Sequence, residues 1–330
     1  MAERKDIWYA IVNPHSGSGR SMSSWQKAEI RLRQLHIHYT STKSESHGHA
    51  IELAREAASK GYRRFIAVGG DGTVHEVLNG IMNFVEDPKN TVPLSEFTLG
   101  VLPVGSGNDW ISSHGMPHDP DAVIDIIAAC QTSRQDVVKA VQYATTDTGE
   151  LIPSRTDYML NIAGIGFDGR VCEVVNARKA VGHSGRMIYF RALLTVLRHF
   201  YSFKTKVIAD GKVVFDGDCY SMAFGIGPYS GGGMRQVPDA VLDDGLLDML
   251  IIPKIRIPYL VSRLPLLYTG TIGQVPELIY CKAKEIKVLS SDGYEDVEPI
   301  EIDGEVVGRF PVSFEVLPSQ IKVLSLRKNG

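Results

Sequence analysis

The sequence predicts an α/β fold in two parts: an N-terminal doubly wound domain on a mostly parallel sheet, then a C-terminal domain rich in β-strands. Three observations carry this. Strand-like apolar runs alternate with helix-periodic segments from residue 7 to residue 130. Three of those runs break on glycine-rich loops, at residues 13–19, 69–73 and 104–109, before a helical segment or a turn resumes. After Ser133 the pattern changes to strands with hairpin signals, as in 206–209, the turn Asp210-Gly211, and 212–215. At 330 residues the chain exceeds most single cores, which also favours two domains.

In order, residues 7–12 form an apolar strand that ends in Asn13-Pro14-His15-Ser16-Gly17-Ser18-Gly19, and a helix is expected over 24–35. A second strand, 36–40, leads through a polar loop to a helix whose packed face carries Ala50, Leu53, Ala54 and Ala57. The strand 64–68 then opens through Gly69-Gly70-Asp71-Gly72-Thr73 straight into a helix. Val74, Val77, Leu78, Ile81, Met82 and Val85 recur there at the spacing of one face. A fourth strand, 98–102, breaks at Pro103 into Val104-Gly105-Ser106-Gly107-Asn108-Asp109, with a turn and a helix over 121–130 to follow.

Such loops have a chemistry. Glycines let backbone approach a ligand, and the amides of a following helix N-terminus attract phosphate. Asp71 is the exception in its loop, because a carboxylate beside a phosphate needs a cation between them, or else grips a sugar hydroxyl. The plainer alternative is a tight strand-to-helix turn in which Asp71 caps the helix. In doubly wound sheets ligands sit at the carboxyl ends of the strands, where all three loops would gather, so a nucleotide site is expected. Neither the Walker spacing nor a dinucleotide fingerprint occurs in a strand-to-helix context, which argues against P-loop enzymes and Rossmann dehydrogenases.

Composition narrows the classes further. A formal net charge of -3, with scattered basic residues, offers no footprint for nucleic acid. Cys130, Cys172, Cys219 and Cys281 form no metal or disulfide spacing, which points to a reducing, cytoplasmic setting. The chain opens directly into a strand, and no run approaches the ~20 apolar residues that span a bilayer. Any membrane contact would therefore be peripheral, at the inner face. Its candidate is the segment 254–268, where Ile255, Ile257, Leu260, Val261, Leu264, Leu266 and Leu267 accompany Lys254, Arg256 and Arg263; the competing reading is a core helix interrupted at Pro258 and Pro265.

The second half adds Asn161-Ile162-Ala163-Gly164-Ile165-Gly166-Phe167-Asp168, a helical stretch over 185–199, the loop Gly231-Gly232-Gly233-Met234 and the segment Asp243-Asp244-Gly245-Leu246-Leu247-Asp248. Asp243 and Asp244 are either a metal site or a solvated turn between strands. Later Asp303-Gly304-Glu305 joins two strands, and strands over 312–317 and 321–326 close the chain.

With these motifs in this order, the chain resembles the diacylglycerol kinase catalytic-domain family, and bacterial lipid kinases within it; sphingosine kinases and, more distantly, NAD kinases are related to that family. The resemblance implies a nucleotide-binding α/β domain over 1–134 and a β-sandwich lipid-substrate domain over 135–318. It also implies an active cleft between them and a last strand, about 319–330, that returns to the first domain. It implies ATP and Mg2+ as well. Carried over by position, the nucleotide contacts fall on Asn13, Pro14, His15, Ser16 and Gly17, on Gly69, Gly70, Asp71, Gly72, Thr73, Val74, His75 and Glu76, and on Ser106, Gly107, Asn108 and Asp109. A threonine that the family places ahead of Gly-His-Ala aligns with Ser44. A structural magnesium maps to Asp244 with the carbonyls of Val241 and Leu246. One departure stands out: Trp110-Ile111-Ser112-Ser113 follows Asn108-Asp109 where Phe-Ala-Arg is usual, so an arginine is missing.

The activity so implied is a lipid kinase, which passes the γ-phosphoryl group of ATP to a lipid hydroxyl. Asp71, with Asp109, would organise magnesium or its waters, and the glycine-loop amides would hold the phosphates. Glu305 is the first choice as proton acceptor, with Asp303 supporting the turn; the alternative exchanges the two roles. The acceptor lipid is open among diacylglycerol, a sphingoid base, phosphatidylglycerol and a prenol, and no oligomer interface is legible. Two alternatives are an NAD-kinase-like enzyme, which would share the Gly-Gly-Asp-Gly loop, and a nucleotide-dependent lipid-binding regulator without turnover.

Overall fold

The first half of the chain alternates strand and helix, and its central strands are buried on both faces where helices cover them. The computed structural model describes residues 3–104, 108–180, 187–197, 201–291, 298–318 and 320–327. It divides into two units, Met1–Val137 with Pro318–Gly330, and Val138–Leu317.

In the first unit β1 (Trp8–Val12), α1 (Ser21–Gln34), β2 (Tyr39–Lys43), α2 (His49–Ser59), β3 (Arg64–Gly69), α3 (Asp71–Val85), β4 (Thr98–Pro103), α4 (Asp109–Ser113), α5 (Pro120–Ala129) and β5 (Thr132–Gln135) follow in order. Phe65, Ile66, Ala67 and Val68 of β3 are wholly buried, as a central parallel strand covered on both faces requires. Helix α5 starts where Asp119 accepts the Ala122 N–H at 3.2 Å and Pro120 occupies the first turn.

The second unit contains β6 (Val138–Thr145), β7 (Leu151–Met159), β8 (Ile162–Gly166), α6 (Phe167–Ala180), α7 (Met187–Leu197), β9 (Phe203–Ala209), β10 (Lys212–Gly225), β11 (Tyr229–Ser230), β12 (Met234–Arg235), β13 (Leu247–Pro253), α8 (Ile257–Arg263), α9 (Leu266–Thr269), β14 (Ile279–Ala283), β15 (Glu285–Ser290), β16 (Pro299–Ile302), β17 (Glu305–Arg309) and β18 (Val312–Val316). A last strand, β19 (Ile321–Leu324), lies in the first unit.

The first sheet runs β2-β1-β3-β4-β19-β5, parallel except for the β19–β5 pair. Strand order reverses between β1 and β3, so the loops after these neighbouring strands open at the same edge. The second unit is an antiparallel sheet in the order β17-β16-β8-β10-β9-β15-β18-β6-β7, with β13 and β14 added beside β10. The long β10 pairs with β9 along its first half and with β8 and β13 along its second, so the sheet wraps around one core and is sandwich-like. Phe203, Phe224, Phe310, Phe314, Ile165 and Met249 lie in that core. The Asp210-Gly211 and Asp303-Gly304 turns both have positive φ at both residues (45° and 78°, 51° and 85°), the geometry that two-residue hairpins favour.

Several elements differ from expectation. The second strand starts at Tyr39, because His36 adopts φ 54° just after α1 and takes 36–38 out of the strand. Helices α4 and α6 were not anticipated: α4 is only five residues long, and α6 carries polar residues around most of its circumference. The expected 185–199 helix is α7, with 185, 186, 198 and 199 outside the described residues. In the segment 254–268 the helices are α8 and the start of α9, one side of which packs inward and the other does not.

Candidate functional site

The three glycine loops of the first unit are tied to one another. Asn13 extends β1 by donating its N–H to Val68 O at 3.0 Å, and its side-chain Nδ2 donates to Thr73 Oγ1 at 3.2 Å. Its Oδ1 accepts the His15 N–H, which curls Pro14, His15 and Ser16 back over the strand end. Ser16 Oγ stands 3.5 Å from Thr73 Oγ1. Gly69 makes this possible: a Cβ there would lie 2.2 Å from Thr73 Oγ1 and 3.0 Å from Ser16 Oγ. The first loop also meets the third, since a Cβ on Gly17 would stand 2.8 Å from Val104 Cγ1.

Asp71 is the first residue of α3, and its Oδ2 accepts the Asp109 N–H at 3.0 Å. Both aspartates are half-buried, and each stands at the start of a helix whose first-turn N–H groups point outward. Asn108 is buried, and its Oδ1 has no hydrogen-bond partner among the described residues. Ser106 and Gly107 lie outside the described residues. Ser44 is buried beside the same edge, its N–H donated to Val12 O at 3.0 Å.

Other residues of the 69–76 stretch face inward. Val74 is core, and His75 is buried with Nε2 3.3 Å from Asn79 Nδ2. Glu76 serves α2: its two carboxylate oxygens accept the Gly48 and Ala50 N–H groups at 2.9 and 3.2 Å, and His47 Nδ1 stands 3.1 Å from Oε1. A carboxylate at a helix N-terminus is the favourable arrangement for that dipole. The side chains brought together at the loop edge are thus those of Asn13, Ser16 and Thr73, and of Asp71 next to the Asp109 amide.

In the second unit the turn between β16 and β17 separates its two carboxylates. Asp303 is buried and accepts three backbone N–H groups, from Leu160 at 3.0 Å, Asn161 at 2.9 Å and Ile162 at 3.2 Å. It fixes the β7–β8 connection. Glu305 is half-buried, and its side chain makes neither hydrogen bond nor ion pair among the described residues. Glu301, one strand residue before the turn, is buried and accepts the Gly304 N–H at 2.9 Å. Burial pushes its carboxyl well above the usual range; the neighbouring Asp168, Asp303 and Glu305 push the same way, against the Gly304 hydrogen bond. Asp168, at the start of α6, is also raised by burial, although Ser221 Oγ at 2.8 Å and Gln236 Nε2 at 3.1 Å donate to it. Gly164 leaves room for this pair, since a Cβ there would stand 2.7 Å from Asp168 Cβ and 3.0 Å from Glu301 Oε1.

Residues 8–140 match the family model described as the diacylglycerol kinase catalytic domain, and residues 161–325 match that of the YegS C-terminal NAD kinase beta sandwich-like domain. The chain belongs to the diacylglycerol kinase catalytic-domain family. Proteins named diacylglycerol kinase from Staphylococcus carnosus and Staphylococcus aureus are 26% and 28% identical to it, over 95% and 96% of this chain and 93% and 91% of theirs. The crystal structure of a diacylglycerol kinase from Bacillus anthracis shares the fold, with a TM-score of 0.66 at 20% identity and 98% of both chains covered.

Against the family pattern, Trp110 is a buried anchor whose Nε1 donates to Gln135 Oε1 at 2.9 Å, while Ser112, at the position of the missing arginine, is exposed. The family's structural magnesium position meets a protein cation. Asp244 Oδ1 accepts the Leu246 N–H at 3.0 Å, and Lys282 Nζ lies 4.0 Å from Oδ2. The same ammonium donates to Asp239 O at 2.8 Å and stands 3.2 Å from Asp248 Oδ1. Lys282 is opposite Asp248 in the β13–β14 register, which is why it reaches this loop.

Sequence reasoning missed Glu301, Asp168 and Lys282 as parts of a site. Strand alternation turns Glu301 away from Ile300 and Ile302 and would put it in solvent; α6, itself without a clear apolar period, covers that face.

Proposed function

We propose that this protein is a lipid kinase that transfers the γ-phosphoryl group of ATP to the hydroxyl of a lipid. The observation that carries the reading is a likeness to proteins named diacylglycerol kinase that runs through both units. The knitted loop edge of the first unit supports it with a phosphate-type cradle: glycine backbone, two helix starts, and the hydroxyls of Ser16 and Thr73. Asp71 and Asp109 offer adjacent hard oxygen donors, which fits magnesium and would hold it at the triphosphate. When bound, that ion neutralises the charge of the phosphates in flight.

In the second unit Glu305 takes the proton from the lipid hydroxyl, and the oxygen so freed attacks the γ-phosphorus as ADP leaves. Asp303 is a positioning residue that holds the turn through three amides. Glu301 grips the Gly304 N–H from the other side. The second, structural magnesium does not fit: an ammonium beside the Asp244 carboxylate competes with a divalent ion there, and Lys282 already supplies the positive charge.

Labelled ATP and magnesium with diacylglycerol, a sphingoid base, phosphatidylglycerol and a prenol in mixed micelles test the proposal, with NAD as a further acceptor. A phosphorylated lipid is expected. Label on NAD alone, or on no acceptor, overturns it.

A further inference from the structure

The segment from α8 to α9 presents an apolar stripe that the fold does not use. Ile257, Val261, Leu264 and Tyr268 are 43, 48, 37 and 65% exposed, and their spacing of four, three and four places them on one helical face. The face is continuous, because Leu264 and Pro265 keep right-handed helical backbone between the two helices. The opposite side supplies the packing: Leu260 is buried, and Tyr259, Leu266 and Leu267 rest against the cluster of Ile162, Val237 and Leu250.

The charges around the stripe choose its occupant. From Met249 through Pro276 there is no Asp or Glu, although the chain as a whole carries a net charge of -3. The same stretch holds Lys254, Arg256 and Arg263. Arg256 is exposed and has no partner among the described residues; Lys254 stands 3.8 Å from Asp218, and Arg263 lies over the Tyr259 ring at 4.6 Å. An exposed tyrosine, branched aliphatics and flanking cations suit the boundary between anionic headgroups and acyl chains.

We propose that the α8–α9 face is a membrane-docking surface that seats on anionic bilayers, with Ile257, Val261, Leu264 and Tyr268 among the acyl chains and Lys254 and Arg256 at the lipid phosphates. This deepens the lipid-kinase reading and rests on it, since it delivers the enzyme to the surface that holds its acceptor. A competing occupant, a second copy of the chain, would bury the stripe but gives no reason for an exposed Arg256 without a partner among the described residues and an acid-free margin beside it.

Co-sedimentation with vesicles of phosphatidylglycerol and phosphatidylcholine tests it, with the full-length protein and three variants: Val261→Glu, Leu264→Ser and Arg256→Ala. All three positions are exposed, and melting curves verify folding. Wild type is expected to bind anionic vesicles and to release at high salt. Val261→Glu should reduce partitioning on the order of tenfold or more, and Arg256→Ala by a smaller, salt-dependent factor. Turnover on a short-chain, water-soluble diacylglycerol should stay at the wild-type level in all variants while turnover on vesicles falls. Unchanged vesicle binding by folded Val261→Glu and Leu264→Ser overturns the docking surface. So does conversion of a dimer to a monomer by these variants with vesicle binding intact, which assigns the face to a second copy. Vesicle binding that responds to the variants in a protein with no lipid turnover refutes the kinase reading alone.

Discussion

Asp71 and Asp303 are both aspartates at glycine turns, and the fold treats them in opposite ways. Asp303 is buried and satisfied by three amides of its own unit, whereas Asp71 is half-buried where the glycine loops meet, with the Asp109 amide on one oxygen. In the second unit several carboxylates are answered by the protein itself: Asp303 by amides, Glu298 by Arg170 at 2.6 Å, Asp248 by Lys282. In the first, Glu76 is answered by the Gly48 and Ala50 amides, and Asp71 takes the Asp109 N–H at the loop edge. A carboxylate held by three amides of its own unit maintains structure, and on the proposed function the one at the loop edge meets a diffusible cation.

The largest test of this contrast is Asp71→Asn. Asparagine caps a helix about as well as aspartate and keeps an oxygen for the Asp109 N–H, so the melting temperature should stay near wild type. Phosphoryl transfer should fall below detection, because the charge that organises the cation is gone. Near-normal turnover would make Asp71 a cap and remove the contrast.

Next in size is the pair at the second turn. Glu305→Gln should lower the catalytic rate by about 10²- to 10⁴-fold with ATP affinity unchanged, as loss of a general base does. Asp303→Asn should act on stability instead. Asparagine presents an NH2 to a nest of three amide donors, and about 2 to 3 kcal/mol of stability should go with the lost charge-assisted acceptor. Turnover at saturating substrates and melting curves for both variants separate the two. A folded but inactive Asp303→Asn beside an active Glu305→Gln would exchange the roles.

How much of this was legible beforehand follows the physics of each signal. The strand-to-helix loops were, because burial on both faces writes β3 as an unbroken apolar run and glycine marks the close approach of Ser16 and Thr73. Glu76 was not: its place in the ligand stretch was borrowed from a motif, while its partners, the Gly48 and Ala50 amides, are fixed only when α2 packs beside α3. Glu301 reads as the solvent-facing member of an alternating strand until α6 covers it, and Lys282 acquires its acidic partners through strand register. Chain-local patterns reveal a loop that must open to a ligand. They do not reveal which buried charge finds which partner.

A smaller effect is expected in the pH dependence of stability. Glu301 has its carboxyl raised in the folded state, so its stabilising contribution is fully present below the unfolded value of about 4.5 and is lost as pH rises through the folded value. Glu301→Gln keeps an oxygen for the Gly304 N–H and cannot ionise. Its melting temperature relative to wild type should therefore climb steadily from pH 5 to pH 8. A constant difference across that range would mean that Glu301 is ionised and answered like its neighbours.

The smallest expected effect is the one that most sharply divides the units, namely the response of the nucleotide-free protein to magnesium. If the loop around Asp244 were completed by a divalent ion, chelation would unfold part of the binding energy along with it, and the melting temperature would fall in EDTA and rise saturably with magnesium. Here Lys282 reaches Asp239 O, Asp248 and the Asp244 carboxylate from the neighbouring strand, and its charge cannot be dialysed away. Melting curves in EDTA and in millimolar magnesium should coincide for wild type and for Asp244→Asn alike. A rise of more than about 2 °C, the size that roughly 1 kcal/mol gives in domains of 150 to 250 residues, would count against this if Asp244→Asn removed it. A rise that survived in Asp244→Asn but vanished in Asp71→Asn would place the ion at the first unit, beside Asp71.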